Sequence, residues 1–412
     1  MKKIVIIIVF YALTGMLQAQ RPDSLFAIAA RNNPDLQAQF KAYEQAMKQV
    51  PQQGALPDPM LSFGYFLSQP ETRLGPQIAK VSLSQAIPWF GTLKARRNAA
   101  ALNAEAQYQL FLDARNKLQY KVAKAYYPLY ELQRKIDFEK ENKEILKSFL
   151  KTAQRMYQTG KGQMTDVIQV KMKLQESKTR LSVLEKERRP LLAELNKLLN
   201  REPDVAVEVQ ESLPASKISE NYRRDSLLGD HPKLLALEKQ IEASQQQVSA
   251  AQKKRYPNLG FGLDYTVVGE RPNASLNDNG RDILMPMITV SLPVFKSKNQ
   301  ASIEQAQLRN QELEYRKASV KNTLVQQYED IWFEIEKQEE FTRLYDTQIE
   351  DAQQTVRLLM QSYSDGNTAF EEVLRMRQKV LKYQQKKVSS ETALQIAFNR
   401  LNYLTAKDPE NE

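Results

Sequence analysis

Apolar side chains return at alternating steps of four and three residues through two long stretches of this chain. From Leu118 the steps reach Val122, Ala125, Leu129, Leu132, Ile136, Glu139, Lys143, Leu146, Leu150, Ala153 and Tyr157, and ten of these twelve are apolar or aromatic. A second series runs through Leu324, Tyr328, Ile331, Ile335, Gln338, Thr342, Tyr345, Ile349, Ala352, Val356, Leu359 and Tyr363, again with ten of twelve apolar or aromatic. A 3.5-residue seam held this long predicts helices packed as coiled coils. The seam resumes beyond Gly160 from Val167 to Leu198, and beyond Gly366 from Val373 to Leu404. Two helical hairpins are therefore expected, turning near Gly160 and Gly366. The first outgoing helix, from about residue 96 to 157, would be ~90 Å long at 1.5 Å per residue. Pro128 predicts a kink in it; Glu334 stands at the matching place in the second series.

Four shorter segments have a period of two. Leu61, Phe63, Tyr65 and Leu67 alternate with Ser62, Gly64 and Phe66, and Ala79, Val81, Leu83 and Ile87 with Lys80, Ser82, Ser84 and Ala86. Leu259, Phe261, Leu263 and Tyr265 alternate with Gly260, Gly262 and Asp264, and Ile288, Val290 and Leu292 with Thr289 and Ser291. This is the pattern of membrane-barrel strands; a half-buried hairpin in a soluble domain produces it too, and four such strands behind an export signal favour the barrel. A proline marks each strand–helix junction: Pro59, Pro88, Pro257 and Pro293.

The chain is duplicated. Tyr157, Gly160, Leu195 and Leu198 recur as Tyr363, Gly366, Leu401 and Leu404, 206 residues on. Pro34, Pro59, Leu61, Phe63 and Gly64 recur as Pro232, Pro257, Leu259, Phe261 and Gly262 at a separation of 198. Eight extra residues in the second copy account for the change, where residues 273–280 read as a polar loop. A period this long fits two pseudo-equivalent halves rather than a stacked solenoid. The expected organisation is a signal peptide over 1–19, a first repeat over 20–205 and a linker over 206–224. A second repeat over 225–406 and a C-terminal tail over 407–412 follow. The first repeat holds a helix, strands 60–68 and 78–88 and a helical hairpin 96–200. The second holds a helix, strands 258–268 and 285–293 and a hairpin 300–405.

Lys2 and Lys3, the apolar run Ile4 to Leu13, and Leu17, Gln18 and Ala19 give the N-terminus the layout of a secretory signal peptide. Cleavage is expected after Ala19. The run is too short to span a bilayer as a helix, and an exported basic chain makes nucleic acid an unlikely partner. With 13 Gly and 26% charged residues, the composition is that of long helices. The chain has no Cys, so a disulfide or thiolate site is excluded. Its one histidine, His231, precedes Pro232 where Asn33 precedes Pro34, and reads as a helix-start residue. No phosphate-binding glycine loop, Ser/His/Asp set or His/Cys cluster is present, so neither enzyme activity nor a cofactor is predicted.

If the strands lie in lipid, four of them cannot close a barrel, and unpaired strand edges are not tolerated there. The chain must then oligomerise; three copies would supply 12 strands.

The duplication resembles that of the TolC-like outer-membrane efflux ducts, over residues from about Asp23 to Leu404. The resemblance rests also on Ser84-Gln85-Ala86-Ile87-Pro88-Trp89-Phe90-Gly91 with its echo Val290-Ser291-Leu292-Pro293-Val294-Phe295. The hairpin turns add to it, through Tyr157, Gly160, Thr165, Asp166 and Val167 in one copy and Tyr363, Gly366, Glu372, Val373 and Leu374 in the other. It implies a mainly α fold with a small β part: a trimeric 12-stranded β-barrel in the outer membrane that continues into an α-helical barrel through the periplasm. The implied partners are a periplasmic adaptor (membrane fusion) protein, an inner-membrane pump of the resistance-nodulation-division type, two further copies of the chain, and outer-membrane lipid. Leu56-Pro57-Asp58-Pro59, with Glu71, Thr72, Arg73, Gly75, Pro76 and Gln77, resembles the heavy-metal resistance branch. The exported substrate is then a metal ion or a small toxic compound.

The same resemblance implies a periplasmic gate at the helix turns, with Asp166, Tyr363 and Glu372 on matching positions. Thr368 stands where the family has a basic residue, and Arg375 where it has an acidic one. An Arg375–Glu372 latch and solvated surface charges both stay open. Tyr157, Gly160, Gly366 and Asn367 are the expected adaptor-docking turns. Lys94, Arg96, Arg97, Lys253, Lys254, Arg255, Lys296 and Lys298 cluster at the strand–helix junctions. They suit inner-leaflet phosphates and equally an ordinary surface. A periplasmic coiled-coil scaffold or adaptor with soluble β-hairpins is the competing reading.

Overall fold

A computed structural model describes residues 22–213, 229–272 and 277–406. The expected signal peptide, much of the linker, the C-terminal tail and part of the polar loop lie outside them. In chain order the elements of the first half are α1 (Pro22–Asn32), α2 (Pro34–Gly54), β1 (Met60–Tyr65), β2 (Glu71–Thr72), β3 (Gly75–Ile87), α3 (Thr92–Gln158) and α4 (Met164–Leu198). Those of the second half are α5 (Pro232–Lys253), β4 (Asn258–Val268), β5 (Ile283–Ser291), α6 (Lys296–Ser364) and α7 (Phe370–Thr405).

The element types follow the two periods in the sequence. The 67 residues of α3 and 69 of α6 make each about 100 Å long. The helix assignment of α3 runs through Pro128, although the proline lacks an N–H and leaves one rung of the ladder unmade there. The starts of α2 and α5 occupy matching positions in the two repeats but differ in chemistry. The Asn33 carboxamide oxygen accepts the Leu36 backbone N–H at 3.1 Å, capping α2. Its NH₂ donates to the Leu198 carbonyl at 2.9 Å. His231 occupies the matching place before α5 and packs edge-on to Tyr403.

The chain divides into two compact units that do not coincide with the two repeats. One takes residues up to Ala38, Leu112–His231 and Lys321 onward; the other takes Gln39–Phe111 and Pro232–Val320. Each unit draws on both repeats. The first has the predicted seam as its core. Leu132, Ile136 and Leu181 form one cluster, and Leu146, Phe149, Ala153, Val167, Val170, Leu174, Tyr363, Phe370, Val373 and Leu374 another.

The second unit holds the sheet, ordered β1-β3-β4-β5 with the two-residue β2 on β3. Every pairing is antiparallel. Phe63, Val81, Tyr265 and Leu284 share one cross-strand row; Ser62, Ser82, Asp264 and Met285 share the next. Successive rows face opposite sides. Leu61, Phe63, Leu83, Phe261, Leu263, Ile288 and Val290 are all exposed, so one face is an apolar surface. The other carries Ser62, Ser82 and the Lys80–Asp264 ion pair. β1 is shorter than its alternation suggests, and β3 begins three residues earlier than expected. Gly75 there has φ +131°, and a Cβ on it would lie 1.9 Å from the Gly269 carbonyl oxygen. Helix–helix contact in this unit is built on small residues: Ala95, Ala99, Ala104, Ala243, Ala250 and Ala251 are buried.

Candidate gate and docking turns

Both long helices stop at a glycine by the same device. Gly160 and Gly366 have φ of +72° and +79°, a region open to glycine at little cost. At the first turn the Gly160 N–H donates to the Tyr157 carbonyl at 3.1 Å and the Lys161 N–H to the Met156 carbonyl at 2.9 Å. At the second, Gly366 donates to Tyr363 at 3.0 Å and Asn367 to Ser362 at 2.9 Å. These are paired Schellman caps, which satisfy carbonyls that a helix end leaves bare.

The two tyrosines hold equivalent positions in these caps, yet Tyr157 is 49% exposed and Tyr363 only 3%. The residue seven beyond each tyrosine explains the difference: Met164 is exposed, whereas its counterpart Phe370 is buried. Phe370 packs on the Tyr363 ring at 4.6 Å and on Phe149 at 5.6 Å. Gly162 admits the Tyr363 hydroxyl, since a Cβ there would sit 3.2 Å from that oxygen. Tyr363 donates its O–H to the Asp166 carboxylate at 3.5 Å. Asp166 also accepts the Gln163 backbone N–H at 3.3 Å, as an N3 acid does at a helix start. One carboxylate thus serves its own helix and ties the two turns together. Burial, then the Asp166 charge and hydrogen bond, hold the Tyr363 phenol above its ordinary pKa.

The other expected gate residues form local pairs. Arg375 and Glu372 make an ion pair one helical turn apart, and both are well exposed, so the pair adds little to stability. Thr368 shares a 2.6 Å hydroxyl–hydroxyl hydrogen bond with Ser362, which ties the chain across the second turn. Asn367 is exposed and contributes its backbone N–H.

A polar layer interrupts the seam further along the hairpins. Glu139 is 1% exposed, accepts the Ser177 hydroxyl at 2.6 Å and accepts from the Asn142 amide at 3.2 Å. Arg377, also buried, reaches Glu141 at 3.5 Å; desolvation lowers the pKa of its guanidinium, and Glu141 and Glu139 oppose that shift. Glu139, Asn142, Ser177 and Arg377 line an open groove of about 1040 Å³ between α3, α4 and α7. Phe370, Gly162 and Arg377 were not singled out by sequence reasoning. Gly162 carried a signal, being a glycine in a hairpin turn whose counterpart is Thr368.

At the strand–helix junctions Pro59 and Pro257 precede β1 and β4, while Pro88 and Pro293 follow β3 and β5. Trp89 stacks on Tyr256 at 5.1 Å, and Phe90 and Phe295 are exposed. Such an aromatic set suits the edge of a bilayer. Among the described residues no group of three or more His, Cys, Asp or Glu could hold a metal ion, and no helix is long and apolar enough to cross a membrane.

Residues 25–201 and 224–407 match the family model described as outer membrane efflux protein. The fold is similar to that of CusC, with a TM-score of 0.81 and 16% identity over 95% of each chain. It is also similar to the outer membrane protein VceC of Vibrio cholerae, with a TM-score of 0.77 and 18% identity over 93% of this chain and 95% of that one. For the CmeC outer membrane channel of Campylobacter jejuni the TM-score is 0.72 at 16% identity, over 94% and 86%. No curated protein matches the chain in sequence.

Proposed function

The chain belongs to the outer membrane efflux protein family, and from that premise we propose that it works as a homotrimeric exit duct fed by an adaptor and an inner-membrane pump. Its place is the Gram-negative outer membrane, extending into the periplasm, and it is the outer-membrane duct of a tripartite efflux pump. The observation that carries the oligomeric reading is the sheet. Four long antiparallel strands expose an apolar face, and β1 and β5 each lack a partner on one side among the described residues. In lipid those edges must be paired, and three copies make an even-numbered barrel of 12 strands.

The turns at Gly160 and Gly366 are the adaptor-docking surface in this reading, with Tyr157 and Asn367 exposed on them. Asp166, Tyr363, Thr368, Glu372 and Arg375 form the gate, and the Tyr363–Asp166 link holds the two hairpins of one protomer in the closed arrangement. Conduction is passive and requires no cofactor. The pump, of the resistance-nodulation-division type, sets direction and chooses between metal ions and small toxic compounds; the heavy-metal branch rests on the strand-flanking residues given above. Fractionation of cell envelopes followed by mass measurement in detergent tests the duct. Recovery in outer membranes as a threefold particle is expected, and a monomer that stays soluble without detergent refutes it.

A further inference from the structure

The polar face of the sheet carries two opposite charges, and they cancel. Along the cross-strand rows that share a face with Lys80 and Asp264, from Asn258–Ser291 to Thr266–Ile283, these two are the only ionisable side chains. They form an ion pair, and Asp264 is only 1% exposed. The other positions in these rows are Ser, Thr, Asn, Gly, Ala or Ile, with the exception of three methionines. Met287 shares its row with Gly262, and Met285 shares the next row of that face with Asp264. A Cβ placed on Gly262 would lie 3.4 Å from the Met287 methyl, so this thioether crosses the wall over a residue that has no side chain. Met60 lies on the same face but three strands away, on β1.

Met285 and Met287 are two residues apart on β5, so their Cα atoms lie ~7 Å apart with both side chains on one side. A methionine thioether rides on three rotatable bonds, which lets both sulfurs turn to one point between them. Thioether sulfur is a soft ligand that selects ions such as Cu(I), whereas Mg²⁺ and Ca²⁺ take carboxylate and carbonyl oxygen. On these rows the hard ions meet no open carboxylate, because Lys80 holds Asp264. A thioether also carries no proton, so it takes up a metal without releasing one, unlike a thiol or an imidazolium.

We infer that Met285 and Met287 form a two-sulfur site for a soft monovalent cation, Cu(I) or Ag(I), on the pore wall of the barrel, an inference that rests on the duct reading above because that reading turns this face towards the pore. Two neutral sulfurs hold such an ion loosely, as a conducting path requires. Silver nitrate in chloride-free buffer is the probe, since Ag(I) needs no reductant. Purified wild type should bind one more Ag(I) per chain than the protein carrying both Met285→Leu and Met287→Leu, with sulfur-only coordination of that ion in X-ray absorption. Each single variant, one thioether short, should already lose it, and Met60→Leu should bind like wild type. Leucine is close to methionine in volume, so all of these proteins should keep the oligomer. Uptake should not change between about pH 5 and 8, the range in which imidazole sites titrate. If the double variant takes up as much Ag(I) as wild type, the silver sits on other exposed methionines such as Met164 and Met172; the inference then falls and the duct stands. A wild type that stays monomeric and soluble without detergent would overturn the duct reading beneath it.

Discussion

Gly366 offers a graded test of the docking turn, because its surroundings separate backbone strain from crowding. Its φ is +79°, and a Cβ placed on it meets nothing within 4 Å. Any penalty for a side chain is therefore that of the left-handed conformation, ~1–2 kcal/mol for an ordinary L residue. Alanine sits at the low end, since removing glycine also restricts the unfolded chain and recovers ~0.5–1 kcal/mol. Asparagine tolerates the region and should cost only a few tenths of a kcal/mol, whereas β-branched valine lies at or above the top of the range. About 1–2 kcal/mol shifts the local turn equilibrium roughly 5–30-fold, while a domain's total stability is ~5–15 kcal/mol. The protein should therefore still fold, insert and assemble in every variant. Efflux-dependent resistance, normalised to outer-membrane level, should fall in the order Gly, Asn, Ala, Val, and Gly366→Val should abolish it. Amide exchange at Gly366 and Asn367, whose N–H groups close the cap, should accelerate in the same order. Equal resistance in all four proteins would refute the docking role. An Asn variant as damaged as the Val variant would show that φ is not the cause.

Tyr363→Phe removes the donor to Asp166 but keeps the ring on Phe370, so planar-bilayer conductance should rise with trimer yield unchanged. The raised Tyr363 pKa favours the protonated phenol in the folded state. Its contribution is therefore complete below the ordinary tyrosine value of 10.0 and is lost as pH climbs through the raised one; the wild-type channel should gain conductance in strong alkali and the Phe variant should not. Glu372→Gln should weaken cation preference, because acidic rings favour cations in a pore, and Arg375→Glu should strengthen it or raise conductance; unchanged selectivity in both would place the constriction elsewhere. Ser177→Ala leaves Glu139 buried with one donor fewer, so thermal unfolding should show a loss of ~1–3 kcal/mol, and an unshifted midpoint would mean that water replaces the hydroxyl.

The elements were legible wherever one period ran long. The steps from Leu118 to Ala153 trace buried or half-buried positions of α3, and alternation located all four long strands, with ends that moved by up to three residues. Glycines 160 and 366 announced both turns because the backbone there needs φ above zero. The asymmetry between repeats was not legible. Tyr157 and Tyr363 are the same residue at the same cap position, and what separates them is Met164 against Phe370 across the turn. Glu139 reads as a flaw in the seam until Ser177 and Asn142 are brought to it from neighbouring turns and helices. Long-range pairing, in short, decides what a local period leaves open.

The strand order also dictates a sequence of events during biogenesis. Leu83 pairs with Leu263 and Leu263 with Pro286, so the ladder at the centre of the sheet joins residues 180 apart. The first compact unit likewise draws on segments from before Ala38 to beyond Lys321. Neither unit can be completed while only the first repeat has left the ribosome or crossed the inner membrane. Until β4 and β5 arrive, β1 and β3 are at most an isolated two-stranded ribbon, which is marginally stable in water and presents a row of apolar side chains beside open edges. Closing so long a loop is slow, and an exposed apolar ribbon invites aggregation in the interval. The interval between translocation and completion of the sheet is thus where this chain is most open to aggregation, and the duplication lengthens it.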